Sequence, residues 1–151
     1  GNICRSPAAE GVFRHMVAAD GLSDTVGCDS AGTIDFHSGS SPDSRAQETG
    51  LGRGYEIGGA ARQIEHDDLS RFDLILAMDR DNLDYVISLD EHGRYREKIQ
   101  LFCDYVRESS NAEVPDPYYG GQAGFDKVFD LLEDGCSQLL DHVRGQLAID
   151  G

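Results

Sequence analysis

Apolar residues recur at two different spacings along the chain, and the two spacings predict different elements. Between Ala9 and Val17 they fall three or four residues apart, which predicts a helix that ends at Gly21. A second stripe at helical spacing runs from Phe125 to Leu147 and is the clearest in the chain. Each stripe predicts a helix that buries one face against the rest of the protein.

Shorter apolar runs between these helices predict strands. Residues 72–79 form a compact apolar run between acidic residues, which is typical of a strand buried on both faces of a parallel sheet. Residues 25–33 and 98–106 predict two further strands, and Asp79 is a suitable cap for a following helix. Strands alternating with helices predict one doubly wound α/β domain over residues 1–151, with a mainly parallel sheet. Ligands of such sheets bind beyond the carboxyl ends of the strands.

Composition narrows the range of partners. The 151 residues carry a net charge of −15, and the only lysines are Lys98 and Lys127. This charge argues against nucleic acid and anionic membranes as partners, so an anionic ligand needs a local positive site. The apolar runs are too short to span a membrane. The four cysteines are widely spaced without a CxxC pair, which predicts free thiols in a reducing cytoplasm and no metal site.

Residues 1–7, with the sequence GNICRSP, are a candidate anion site. They form a glycine-led turn that runs into the first predicted helix, with Ser6 as its cap and Pro7 at its first position. The free backbone N–H groups at such a helix start bind anions. Arg5 adds a planar fork of donors that suits a tetrahedral oxyanion. These residues alone are equally compatible with an ordinary Ser-Pro helix start that carries a surface arginine.

A second candidate lies at Asp116, which stands between two prolines in the sequence VPDPYYG. The prolines stiffen the backbone and hold the carboxyl group in one direction. A carboxylic acid next to an anion can serve as a general acid. Tyr118 and Tyr119 then provide walls for an aromatic substrate. A rigid surface turn with two tyrosines is the alternative interpretation of the same residues.

Together, GNICRSP and DPYYG resemble the low-molecular-weight protein tyrosine phosphatase family. Further motifs of that family occur in the same order: DSAGT at 29–33, SPD at 41–43, ARQ at 61–63 and FDLILAMD at 72–79. The resemblance implies a four-stranded, mainly parallel sheet with helices on both faces. It also implies hydrolysis of a phosphotyrosine protein or a small aryl phosphate through a phosphocysteine, with no metal or other cofactor.

The resemblance assigns a role to each site residue. Arg5 is the phosphate clamp, and Asp116 is the general acid for the leaving phenol and then the base for water. Ser6 holds the nucleophile as a thiolate, and Asn2 takes a left-handed backbone supported by Ser30. The amides that bind the phosphate oxygens come from Gly1, Asn2, Ile3, Cys4 and Arg5. The walls of the phenol pocket are Phe36, Tyr118 and Tyr119.

Two departures from the family pattern matter. The family's C-x5-R-S loop places the nucleophilic cysteine two positions before Gly1, and Cys4 cannot replace it because it is adjacent to Arg5. Many relatives also have a histidine in the loop-supporting network where this chain has Gly59. We therefore expect an N-terminally incomplete domain that lacks the first central strand, is poorly stable and has no phosphatase activity by itself.

Two other interpretations of the same sequence stay open. In the first, the protein is a nucleophile-free homologue that binds phosphate or phosphotyrosine without turnover. In the second, it is an arsenate reductase of the related thioredoxin-coupled type. That enzyme needs further redox cysteines, and the sequence has none between Met78 and Cys103.

Overall fold

The computed structural model describes residues 1–107, 113–118 and 120–150. Helices alternate along the chain with the strands of a small parallel sheet. Two short 3-10 helices, Arg96–Lys98 and Phe102–Tyr105, flank the second strand. The other elements, in chain order, are α1 (Arg5–Ala19), α2 (Ser44–Gly52), α3 (Asp68–Arg71), β1 (Ile75–Ala77), α4 (Arg80–Leu89), β2 (Ile99–Leu101) and α5 (Gln122–Asp150).

The starts of the helices follow local side-chain chemistry. Asp43 Oδ1 accepts a hydrogen bond from the Arg45 amide and caps α2, while Asp79 Oδ1 accepts from the Asn82 amide and caps α4 as predicted. The predicted cap at Ser6 is wrong: α1 begins at Arg5, and no side chain caps it. The reason is that Ser6 already lies inside α1, whose N-cap position is Cys4, and its Oγ accepts a hydrogen bond from Asn2 Nδ2 instead.

The sheet confirms the α/β class and its parallel pairing. β1 and β2 run parallel, with Ile75 opposite Ile99 and Ala77 opposite Leu101. Within the described residues the sheet has two strands, fewer than the four implied for the family fold even without the first central strand, which we expected to be missing. The predicted strand at 25–33 is absent because these residues have no ladder of hydrogen bonds. Only Gly32 pairs, through a single parallel bridge to Gln63.

Apolar cores lie on both faces of the sheet. Alternate residues of a strand point to opposite faces. Leu76 packs with the larger core, which α1 and α5 dominate, whereas Ile75 packs with a smaller core that includes Leu69 and Val86. The two predicted helical stripes therefore form one wall of the larger core, and α3 and α4 cover the opposite face. None of the helices described is long and apolar enough to cross a membrane.

Candidate active site

The turn before α1 is held in an unusual backbone conformation. Asn2 has a φ of 63°, the only positive value at a non-glycine position among the described residues, and it is buried. Its neighbour across the turn is Gly32, where an added Cβ would lie 2.9 Å from both the Asn2 nitrogen and the Gly1 carbonyl carbon. The left-handed conformation implied for Asn2 is therefore present, and only glycine fits beside it.

A hydrogen-bond network holds the Asn2 side chain. Its Nδ2 donates to Ser6 Oγ at 2.7 Å and to Ser30 Oγ at 3.0 Å, and its Oδ1 accepts from the Arg62 amide at 3.1 Å. Ser30 Oγ in turn donates to Glu10 Oε1 at 2.7 Å. Both donor hydrogens of the Asn2 side-chain amide and its carbonyl oxygen thus have partners, which stabilises the strained turn.

Two members of this network were not anticipated from the sequence. Glu10 lies four residues after Ser6 on the same face of α1, and that spacing is the signal that could have revealed it. Arg62 contributes its backbone, and its side chain is fixed separately by hydrogen bonds to both carboxylate oxygens of Asp68. Gly59 stands where many relatives have a histidine in the loop-supporting network; it is exposed and has a φ of 91°. The contacts to the Asn2 side chain come from Ser30, Ser6 and Arg62 instead.

Arg5 is fixed by partners from two other segments. Its Nη1 donates to Asp79 Oδ2 at 2.8 Å and to the Val114 carbonyl at 2.8 Å. Val114 is fully buried, and its amide donates to the Met78 carbonyl, so its segment is attached to the carboxyl end of β1. Both hydrogen bonds use Nη1, and among the described residues the Nε–Nη2 edge of the guanidinium has no partner. Asp79, predicted only as a helix cap, therefore also positions Arg5.

Asp116 lies exposed at the rim of the same cavity as the turn. Its Oδ1 accepts a hydrogen bond from the Tyr118 amide at 3.0 Å, which fixes the direction of the carboxyl group. The cavity measures about 1320 Å³, and every predicted site residue that the structure describes contributes to its lining. The structure therefore brings together segments that lie more than a hundred residues apart in the sequence.

Cys4 has the properties of a core residue. It is buried against Ala46 and Phe125, and its thiol has a pKa raised to about 12 by burial and by the nearby carboxylates of Asp43 and Asp116. A thiol with such a pKa stays protonated at neutral pH, and a protonated thiol is a poor nucleophile. The structure thus agrees with the expectation that Cys4 does not act as the nucleophile.

Aromatic side chains form a row along one side of the cavity. Phe36 is 81% exposed and makes an edge contact with His37, with ring centroids 4.8 Å apart. His37 lies 6.1 Å from Tyr118, whose ring also faces the Arg45 guanidinium at 5.7 Å. His37 was not predicted, because a single histidine in a polar loop carries no distinguishing pattern. Tyr119 lies outside the described residues.

Comparisons with known proteins agree with this geometry. The family model for low molecular weight phosphotyrosine protein phosphatase matches residues 1–148. The chain belongs to this family. It is 50% identical over 147 residues to a Synechocystis protein classed with the low molecular weight protein-tyrosine-phosphatases, covering 97% of this chain and 94% of that protein. It is 41% identical over 145 residues to the phosphatase YfkJ of Bacillus subtilis, covering 95% and 91%.

Solved structures show the same fold. A protein tyrosine phosphatase from Entamoeba histolytica superimposes with a TM-score of 0.93 at 40% identity, covering 97% of this chain and 93% of that one. An arginine phosphatase from Drosophila superimposes with a TM-score of 0.86 at 31% identity, covering 95% and 92%. Solved structures with this fold thus include phosphatases named for different phosphorylated residues.

Proposed function

We propose that residues 1–6 bind the phosphate of a phosphotyrosine protein or a small aryl phosphate, and that the reaction at this site is hydrolysis. The observation that carries the proposal is that the turn, Arg5, Asp116 and the aromatic row all surround one cavity. The turn and α1 supply backbone N–H donors, and Arg5 adds its free edge. The aromatic row offers flat apolar walls for a phenyl ring.

In the proposed mechanism, a cysteine thiolate two positions before Gly1 attacks phosphorus. The bond from phosphorus to the phenol oxygen breaks, and the leaving oxygen takes the proton of Asp116. In the second step, Asp116 accepts a proton from water, whose oxygen attacks phosphorus. The P–S bond breaks and releases inorganic phosphate and the thiolate. Fixed donors around the equatorial oxygens stabilise both transition states.

The proposal separates binding from turnover. Residues 1–151 contain the clamp, the amides and the acid, whereas the spacing places the attacking thiolate before Gly1. A protein of only these residues, which we take to form a single domain, is expected to bind phosphate without hydrolysing aryl phosphates. We also propose that it acts in the cytoplasm, where its four widely spaced cysteines stay reduced.

The test is an extended protein in which an apolar segment ending in Cys-Gly precedes Gly1. We expect it to hydrolyse aryl phosphates and to prefer a phosphotyrosine peptide over a phosphoarginine peptide. The same extension with serine in place of cysteine should bind phosphate but release none, which also checks that the extended protein folds. Phosphate binding by both proteins, with hydrolysis by neither, would identify a binding homologue instead.

The substitution Asp116→Asn in the extended protein tests separately whether Asp116 is the general acid. Loss of the acid should slow the hydrolysis of substrates with poor leaving groups by about 10²–10⁴-fold. It should have little effect on substrates with good leaving groups, because only a poor leaving group needs the proton. Steady-state rates on a series of aryl phosphates of graded phenol pKa measure this difference. An equal loss across the series would remove Asp116 from the role of acid.

A further inference from the structure

Arg45 contacts the segment that carries Asp116. It is the second residue of α2, and its Nη2 donates to the Tyr118 carbonyl at 2.8 Å while its Nη1 donates to the Gly120 carbonyl at 3.3 Å. Its guanidinium carbon also lies 5.7 Å from the centroid of the Tyr118 ring. One side chain therefore contacts this segment through two backbone carbonyls and an aromatic face.

The guanidinium of Arg45 is fixed from its other side by the start of α2. Nε donates to Asp43 Oδ1 at 3.1 Å and Nη2 donates to Asp43 Oδ2 at 2.9 Å, which is the two-point pairing that suits a planar fork and a carboxylate. The centroid of the Phe125 ring lies 4.8 Å from the guanidinium carbon. These contacts give the guanidinium one orientation, so its hydrogen bonds set the position of the Tyr118 and Gly120 carbonyls.

Asp43 connects this arrangement to the turn before α1. Its backbone amide donates to the Ile3 carbonyl at 2.7 Å. Asp43 and Arg45 together thus join residues 1–6 to residues 116–120, two segments that are far apart in the sequence. Arg45 does not line the cavity, so its effect on a ligand there is transmitted through these contacts.

The direction of the Asp116 carboxyl group depends on Tyr118. The Tyr118 amide donates to Asp116 Oδ1 at 3.0 Å, and Arg45 holds the carbonyl of the same residue. Asp116 is exposed, so packing alone does not fix its side chain. A displacement of about 1 Å in an active site can cost about 10²-fold in rate, so a general acid needs a fixed backbone behind it.

We propose that Arg45 is a positioning residue for Asp116, which it holds at a fixed place relative to the phosphate-binding turn through the carbonyls of Tyr118 and Gly120. The inference rests on the proposed function, in which Asp116 is the general acid. Arg45 touches neither the phosphate nor the phenol, and its contribution is confined to the proton transfer. Binding of phosphate depends on the turn and Arg5 and does not require it.

The kinetic test is Arg45→Met in the extended protein. Methionine keeps an unbranched apolar side chain against Phe125 but removes every donor. The value of kcat/KM, which reports the first step, should fall about tenfold for aryl phosphates with poor leaving groups and less than about twofold for those with good ones. Inhibition by inorganic phosphate should stay unchanged. An equal loss of kcat/KM across the series would overturn the proposal.

A double-mutant cycle shows whether Arg45 acts through Asp116. In the Asp116→Asn background, Arg45→Met should lower kcat/KM by less than about twofold, because the group that it positions is already absent. Losses that multiply would show that Arg45 acts independently of Asp116, and they would overturn the proposal.

Arg53→Met is the matched control at the opposite end of α2. Arg53 directly follows α2 and makes the same kinds of contact with α5. It donates to the Asp126 carbonyl at 3.1 Å, pairs with Asp130 at 2.9 Å, and its guanidinium carbon lies 5.8 Å from the Phe129 ring centroid. Arg53→Met should leave the dependence of kcat/KM on the leaving group unchanged. The same dependence as in Arg45→Met would show a general effect of anchoring α2 and would overturn the proposal.

Hydrogen exchange measures the same contact without turnover. In the 151-residue chain, Arg45→Met should speed exchange of the Tyr118 amide at least about tenfold, because the segment that presents this amide to Asp116 is released. Arg53→Met should leave that exchange unchanged. Unchanged protection in Arg45→Met would overturn the proposal. Faster exchange in Arg45→Met, together with no hydrolysis by the extended protein, would support the contact that Arg45 makes and contradict only the proposed function.

Discussion

At the scale of single residues, the site depends on side chains whose direction is fixed before a ligand arrives. Arg5 is held through Nη1 by Asp79 and the Val114 carbonyl, and Asn2 is held by Ser6, Ser30 and Arg62. Preorganised donors stabilise a developing charge without reorganisation at the moment of reaction. The same contacts explain how a chain of net charge −15 keeps a place for an anion.

Cys4 provides a residue-scale prediction about pH. Its pKa rises from 9.0 to about 12 on folding, chiefly through burial, so the folded state keeps the proton that the unfolded state loses above pH 9. This contribution to stability is complete below pH 9 and is lost as the pH rises toward 12. Alkylation of Cys4 by iodoacetamide at pH 9, followed by peptide mass spectrometry, should be much slower in the native chain than in urea. Equal rates would show that the native thiol ionises normally.

At the scale of elements, the turn before α1 depends on how closely the segment at Gly32 approaches it. The Gly32 amide donates to the Arg62 carbonyl, and the Ile64 amide donates to the Gly32 carbonyl, which fixes the segment against residues 62–64. These two hydrogen bonds form the parallel bridge between Gly32 and Gln63, and they place Gly32 directly against Asn2.

Gly32→Ala tests this arrangement. The new Cβ would lie 2.9 Å from backbone atoms of Gly1 and Asn2, which cannot yield as a flexible side chain can. We expect a loss of about 1–3 kcal/mol in the free energy of unfolding, because overpacking forces the backbone to shift. Phosphate affinity should fall about tenfold as the turn is displaced. Urea unfolding and calorimetry measure the two effects.

The matched control is Gly27→Ala in the same segment. Gly27 has no atom within 4 Å of an added Cβ and no positive φ. This substitution should therefore leave the free energy of unfolding and the phosphate affinity nearly unchanged. Similar effects at the two glycines would show that close packing at Asn2 is not what the turn requires.

The elements also show what the sequence can and cannot predict. Periodicity located α1 and α5, and the acid-bounded apolar run located β1, because these patterns record which faces are buried. The strand predicted at 25–33 did not form, since a strand needs a neighbour and no local pattern reports whether one is present. The contact of Asp79 with Arg5 and the position of His37 beside the cavity depend on tertiary neighbours, which a linear sequence does not reveal.

At the scale of the whole molecule, most of the positive charge is neutralised locally. Arg53 contacts Asp130 and Glu133, and Arg62 contacts Asp68 and Asp29, at the ends of different elements. Arg5 is paired with Asp79 and also donates to the Val114 carbonyl, and it lines the cavity together with the turn. The acidic surface therefore discourages binding of phosphate away from the local donors of the turn.

Calorimetric titration of inorganic phosphate into the 151-residue chain tests the central claim most directly, with Arg5→Lys and Arg144→Lys as the compared variants. Arg144 forms ion pairs with Asp20 and Asp141 away from the cavity, so Arg144→Lys controls for the general effect of replacing an arginine. The lysine at position 5 loses the bidentate fork, worth about 1.5–3 kcal/mol for hydrogen bonds to a charged group, so affinity should fall at least about tenfold. Unchanged affinity in Arg5→Lys, or an equal loss in both variants, would contradict the assignment of residues 1–6 as the phosphate site.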